Sequence, residues 1–552
     1  MQIGRHATRL ALAGIVLLAA TRFPLGHLVA EEPAAASTPQ STPREVLYNG
    51  IVLPEPWPPR MNELPRDPVT PPYLESPPEV IPIDVGRQLL VDDFLIEQTN
   101  LKRTFHTATY YGENPVLTPD RPWETGTQPN PCAMVFSDGV WYDPQDQLFK
   151  MWYMGGYVAG TCYATSTDGI HWEKPQLDVF EGTNLVQQGY RDSSTTWLDH
   201  ATGDPQARFK MAWFDSGGLS LSTSPDGVHW SEPVRSGPTG DRTTFFYNPF
   251  RKRWIFGIRA GAGGFGRIRT YWEAEDFLSD ADWKPDEPVL WCGADSADPK
   301  RDDLNTPPQL YNLDCVAYES LLLGLFTIWR GQPADRAKPN EVCVGFSRDG
   351  FHWHRPDRRA FIPVSEHYGD WNWGNVQSAG GGCLVVGDEL YFYVSARAGI
   401  QGSRSSGVST TGLATLRRDG FASLDADQTE GTLTTRPLRF QGHYLFVNAG
   451  VDGGELRAEV LDAEGRVIGP FSRENAVPLS KDTTLSQLRW QGTDDLSQLA
   501  GRPVRFRFHL AQGSLYAFWV SPDSSGASHG YVGAGGPALP GPIDTVGRKA
   551  PQ

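Results

Sequence analysis

The sequence is short of cysteine, of long apolar runs and of positive charge, and each shortage removes a class of protein. Six cysteines (Cys132, Cys162, Cys292, Cys315, Cys343, Cys383) are scattered over 552 residues, with no Cys-x-x-Cys pair and no histidine at metal-ligand spacing. Zinc is therefore disfavoured, and no other metal or cofactor is implied. The apolar run Leu10–Ala20 is eleven residues long, too short to cross a bilayer. With Arg5 and Arg9 in front of it, it reads as an export signal, cleaved after Ala30 or after Ala36. Residues 1–30 are thus expected to be removed, leaving a secreted or periplasmic chain with nothing to insert into a membrane. In that compartment Cys132–Cys162 and Cys315–Cys343 are disulfide candidates, with buried free thiols the alternative. Lys and Arg number 49 against 65 Asp and Glu, a net charge of −16, which repels phosphates and excludes nucleic acid as a partner.

What is abundant is 58 Gly, 45 Pro and 18 Trp, a mixture that suits many short strands joined by tight turns. Residues 31–82 are Pro-rich without apolar periodicity and read as a linker or surface strap. Within the following stretch one heptapeptide recurs. Ser166-Thr167-Asp168-Gly169-Ile170-His171-Trp172 returns as Ser224-Pro225-Asp226-Gly227-Val228-His229-Trp230 and as Ser347-Arg348-Asp349-Gly350-Phe351-His352-Trp353. The spacings are 58 and 123 residues, so a worn copy belongs in the longer gap, and Asp282-Trp283-Lys284-Pro285 lies there. Arg418-Asp419-Gly420-Phe421 is a further worn copy, giving five units. Repeats of this length holding several strands each predict an all-β fold, a five-bladed β-propeller over 83–427. Alternating strands over 428–522 predict a C-terminal β-sandwich, and 523–552 read as a flexible tail. The repeated Asp, His and Trp are expected to serve the turn and the packing, with Trp172, Trp230 and Trp353 buried at equivalent places.

These repeats, with Glu113-Asn114-Pro115-Val116-Leu117 opening the first unit and Phe149-Lys150-Met151-Trp152-Tyr153 inside it, resemble the five-bladed propeller glycosidases of glycoside hydrolase families thirty-two, forty-three and one hundred and thirty. The resemblance implies a carbohydrate substrate, a glycosidase activity and acidic residues at the axial end of inner strands. Propeller geometry narrows the candidates to residues just before inner strands and at the ends of second strands. Asp192 and Asp241 align, each seven residues before a turn residue, Asp199 or Asn248. With Glu319, which resembles a propeller-glycosidase acid, they are the catalytic candidates, since glycoside hydrolysis needs one acid and one base or nucleophile. Trp123, Glu124, Arg242, Arg259, Asp314, Arg330, Trp373, Asn375 and Arg397 are the substrate-binding candidates, and the arginines suit an anionic substrate group. The chain is expected to work as a monomer. A non-catalytic carbohydrate-binding or scaffold propeller is the alternative, and a sialidase-like enzyme is disfavoured by five units.

Overall fold

The computed structural model describes residues 44–126, 130–493 and 495–547. The expected export signal and the first part of the strap lie outside the described residues. Five antiparallel sheets follow one another along the chain. The first is Ala133–Asp143, Leu148–Gly155, Gly160–Ser166 and Leu185–Gln188. The second is Ser194–Leu198, Phe209–Phe214, Gly218–Ser224 and Val234–Pro238. The third is Thr244–Asn248, Arg253–Ala262, Gly266–Ala274 and Val289–Cys292. The fourth contains Gln309–Glu319, Leu321–Trp329 and Glu341–Ser347. The fifth contains Asn375–Ser378, Glu389–Arg397 and Ser409–Arg417, and Thr109–Tyr110, from ahead of the first sheet, pairs with its last strand. The leading strands of the five sheets touch in cyclic order, first to second and onward until the fifth meets the first. Each inner strand therefore presents one end to a common mouth and the other to a common set of turns.

The repeated heptapeptide closes the turn after the third strand of its sheet, and the local chemistry is the same in all three copies. Asp168, Asp226 and Asp349 each accept backbone N–H groups two and three residues ahead through Oδ1. Each Oδ2 takes the following histidine Nδ1 at 2.7 Å. The glycines stand at φ of +77°, +83° and +86°, where a side chain is strained. Space forbids one as well, because a Cβ on Gly227 would lie 2.4 Å from the Trp152 ring of the preceding sheet. The same carbonyls join the sheets: Trp152 Nε1 donates to Gly227 O and the Tyr393 hydroxyl donates to Gly169 O. Trp172, Trp230 and Trp353 are half-buried against the core, less than the full burial expected, each with a buried Nε1 that has no partner among the described residues.

Two further sheets enclose a second apolar core that includes Leu433, Val447, Leu456, Phe506, Phe508 and Phe518. One runs Asp482–Gln487, Tyr444–Gly450, Gly513–Ser521, Ala422–Ala426, Lys102–Phe105, and the other Glu455–Leu461, Arg505–Ala511, Gly431–Thr435, Ile96–Thr99. Strands from 96–105 and 422–426 belong here, so the expected boundaries at 83 and 427 shift. Pairing of Lys102–Phe105 with Ala422–Ala426 assigns them, since a sheet is built by partners and not by order in the chain. The expected loose tail is also corrected for 523–547. Tyr531–Val532 pairs with Tyr318–Glu319, and Asp544, fully buried, binds Arg418 at 3.0 Å. All six cysteines are free thiols, five of them buried, so neither candidate disulfide forms.

Candidate active site

At the mouth the inner strands lose their regularity together. The strand Ala133–Asp143 shifts register between Met134 and Gly139, and Phe136 within the bulge has φ +47°. The strand Gln309–Glu319 shifts between Leu310 and Asn312, around Tyr311. Arg242, just ahead of Thr244–Asn248, has φ +62°. A bulge or a left-handed residue re-aims a side chain at the expense of the ladder, and such departures gather at functional sites. Here they turn Phe136, Ser137, Asp138, Arg242 and Tyr311 toward one another from three sheets.

Arg242 is the hub. Its guanidinium lies 3.7 Å from the Phe136 ring centre and 5.7 Å from that of Tyr311, and donates to Ser137 Oγ at 2.9 Å. Its backbone N–H donates to Ser193 Oγ of the second sheet. Burial pushes its guanidinium pKa down, while Tyr311, Asp192, Asp314 and Asp241 push it back up. The fifth sheet completes the ring through Ser378, whose hydroxyl donates to Asp314 Oδ2, and through Arg397. All five sheets therefore contribute to one axial cluster.

Asp192 and Asp241 are both brought here. Asp192 is tied into the start of its strand by a backbone bond to Phe214 O, and its Oδ1 is buried without a partner. Burial raises its carboxyl pKa, Asp241 adds to the rise, and Arg242, Arg397 and Arg191 oppose it. Asp241 stands partly exposed beside Arg259, Oδ1 to Nε 3.5 Å. Asp314 lies deeper, bonded to Asn312 and Ser378, with Oδ1 unpartnered and its pKa pushed up to about 6 by burial. Arg397 is buried, donates to Ser406 Oγ at 3.1 Å, and faces the rings of Tyr157 and Phe136. Asn375 touches the cluster at one remove. It donates to Lys338 O, and Lys338 Nζ donates to the Tyr311 hydroxyl at 2.8 Å.

The other candidates are corrected. Glu319 is the last residue of Gln309–Glu319, eight positions beyond Tyr311, which places it roughly 25 Å away at the turn end. There it is fully buried and held by Arg87, Arg418, Ser528 Oγ and the Arg87 backbone N–H. Arg330 is consumed by Glu341, 2.6 Å away, and by Pro299 O. Glu124 caps its short helix and accepts from Tyr153, Lys174 and two backbone N–H groups, while Trp123 donates to Asn184. Trp373 is buried under Arg336 and Tyr368 and offers no face to a sugar.

Sequence reasoning missed Phe136, Ser137, Asp138, Arg191, Tyr311 and Lys338. Arg191 had a signal, since it stands next to Asp192, and it forks onto Asp138 Oδ2 at 2.9 and 3.0 Å. The bulges that aim Phe136 and Tyr311 leave no mark in the repeat. Two clefts elsewhere, about 470 Å³ under Met61–Pro72 and about 210 Å³ beside Trp141, Trp197 and His200, are lined by none of the axial residues. Among the described residues no three His, Cys, Asp or Glu side chains gather as metal ligands, and no helix is long and apolar enough to cross a membrane.

No family model matches the chain, and no curated protein matches it. Solved structures that overlap it include an N-acetylgalactosamine deacetylase from F. plautii in complex with blood group B trisaccharide, 14% identical, covering 58% of this chain and 96% of that one at a TM-score of 0.40. A thermostable family-43 glycoside hydrolase is 13% identical and covers 54% of this chain and 96% of its own at 0.37. A β-1,2-mannobiose phosphorylase from Listeria innocua is 11% identical over 56% and 96%, also at 0.37. Overlaps this loose carry no argument about the chemistry of this chain.

Proposed function

We propose that the chain is an exported, monomeric glycoside hydrolase: a five-bladed β-propeller with a β-sandwich built onto it, cleaving a polysaccharide or oligosaccharide at the axial mouth. The observation that carries this is the pair Asp192 and Asp241, brought to one mouth from the starts of successive inner strands, with a buried, unpartnered oxygen on the first. Hydrolysis of a glycosidic bond needs a carboxylic acid to protonate the leaving oxygen and a carboxylate to activate water or attack the anomeric carbon. Asp192 suits the acid, because burial and the neighbouring Asp241 favour its protonated form. Asp241 suits the base, being partly exposed to water and oriented by Arg259. Arg242 approaches both carboxylates, so charge developing at the mouth meets a fixed guanidinium and not mobile solvent.

A screen of the full chain against a polysaccharide panel tests this. Sugar release by the wild type, lost in both Asp192→Asn and Asp241→Asn while both variants stay folded, is the expected result. Undiminished release by both variants would overturn it. A non-catalytic carbohydrate-binding propeller is the second reading, favoured by the depth of Arg242 and Asp314, at 1% and 2% exposure, beside the partly buried Asp192, Asp241 and Arg259. Saccharide binding without release of any product would select it.

A further inference from the structure

Buried arginines elsewhere in this protein have carboxylate partners. Arg348 takes Asp92, Arg355 takes Asp298, Arg418 takes Glu319 and Asp544, and Arg191 takes Asp138. The floor of the mouth breaks that rule. Arg242 and Arg397 are 1% and 4% exposed, yet among the described residues neither forms an ion pair. Their side-chain hydrogen bonds go to single hydroxyls, Ser137 Oγ and Ser406 Oγ. Nε and Nη1 of Arg242 and Nε of Arg397 have no partner at all. Both guanidiniums contact the same ring, Phe136, at 3.7 and 5.8 Å from its centre. Arg269, wholly buried behind them, donates only to the backbone carbonyls of Ile268 and Tyr311, and adds positive charge without a counter-ion. Lys338 adds more through the Tyr311 hydroxyl.

A buried cation with empty N–H groups and no ion-paired carboxylate is costly, and the cost falls when an anion arrives with lone pairs for them. A guanidinium fork matches the paired oxygens of a carboxylate or sulfate, whereas a neutral hydroxyl satisfies one N–H and leaves the charge. Asp192, Asp314 and Asp241 act on Arg242 without forming an ion pair with it, and burial favours the protonated form of Asp192 and Asp314. We infer that the floor of the mouth is an oxyanion subsite, in which Arg242 and Arg397, backed by Lys338 and Tyr311, hold the carboxylate or sulfate of an acidic sugar unit. This rests on the glycoside hydrolase reading for its substrate class and goes beyond it in naming the charged group and its floor residues.

The test is titration calorimetry of the full chain with glucuronate, galacturonate and glucose 6-sulfate, each against glucose or galactose as the neutral counterpart. The acidic sugars are expected to bind about tenfold or more tightly than the neutral ones, the gain from charge-assisted hydrogen bonds. The preference should weaken with added salt and disappear in Arg397→Gln. Arg242→Met should lose it too, and if that variant does not fold, Arg397→Gln and the salt dependence decide. Uronates ahead of the sulfate identify a carboxylate subsite, and the reverse order a sulfate subsite. Equal affinity for acidic and neutral sugars, or a preference untouched in Arg397→Gln, would overturn the subsite. The two readings fail separately: cleavage of neutral glycans with no acidic preference sinks the subsite alone. An Arg397-dependent acidic preference with no glycan cleaved sinks the hydrolase alone.

Discussion

Asp192 and Glu319 are two carboxylates raised by burial at opposite ends of the same ring of strands, and their surroundings differ in one respect. Glu319 sits among Arg87, Arg418 and Ser528, with donors to both oxygens. Asp192 keeps an oxygen with no donor. The contrast extends to their neighbourhoods. At the turn end the Ser-x-Asp-Gly-x-His-Trp turns repeat with the same bonds in three sheets, and Arg87, Asp419, Tyr318 and Asn448 knit the second core onto the ring. At the mouth, bulges, a left-handed Arg242 and guanidiniums without an ion pair replace repetition. Ion-paired, repeated polar groups hold the fold together at the turn end, whereas the guanidiniums of Arg242 and Arg397 at the mouth have no ion pair among the described residues.

The largest stability effect is expected where the network is complete. Glu319→Ala strands Arg87 and Arg418 in the interior and should cost about 3–5 kcal/mol, read from denaturant unfolding. A loss under about 1 kcal/mol would erase the distinction between the two carboxylates. The turns come next. Gly227→Ala meets both the strain of φ +83° and a Trp152 ring atom 2.4 Å away, and should cost about 2–4 kcal/mol. Gly182, at φ +76° with nothing within 4 Å, is the control, and its alanine variant should cost only about 1–2 kcal/mol. Equal losses at the two glycines would mean that the packing between sheets contributes nothing.

The mouth should reveal itself through pH. Asp314 is raised to about 6, so its contribution is present below the unfolded carboxylate value and is lost as pH climbs through the folded one. Asp314→Asn should flatten the stability profile between roughly pH 4 and 6, with a relative gain on the order of 3 kcal/mol above it. An unchanged slope would mean that the carboxyl is compensated after all. At the turn end the aspartates have the opposite sign and the histidines the same one. Asp226 is depressed to about 2, mainly by its bonds from His229 acting against burial, so its contribution is present above the unfolded value and fades as pH falls through 2. His171 and His229 are raised by Asp168 and Asp226, so theirs is full below the unfolded histidine value and fades as pH rises through the folded one. His229→Phe should remove the His229 share of that decline, and a curve identical to wild type would show that its contact is idle.

How much of this was legible in the sequence follows the same division. Repetition is visible in a single chain, so the sheets, the Asp-Gly turns and the structural role of Asp168, Asp226 and Asp349 could be read directly. The alignment of Asp192 with Asp241 came from that repetition too. What breaks repetition was hidden: Tyr311 and Phe136 reach the axis through register shifts that no spacing records. Arg330 aligned with Arg397 and Arg259 yet is consumed by Glu341, because a pattern fixes a position and not the partner a side chain finds. The order of strands misled at both ends, since Lys102–Phe105 and Ala422–Ala426 meet across more than three hundred residues of intervening chain.

The most direct test sets the two carboxylates side by side, with kcat/KM per folded molecule and thermal midpoint measured for Asp192→Asn and Glu319→Gln on the same glycan. Asp192→Asn should lose activity by about 10²–10⁴-fold with its midpoint nearly unchanged, the effect of removing a general acid. Glu319→Gln should lower the midpoint and leave the activity of the folded fraction intact. The reverse pattern, a stable but inactive Glu319→Gln and an active Asp192→Asn, would contradict the assignment of function to the mouth.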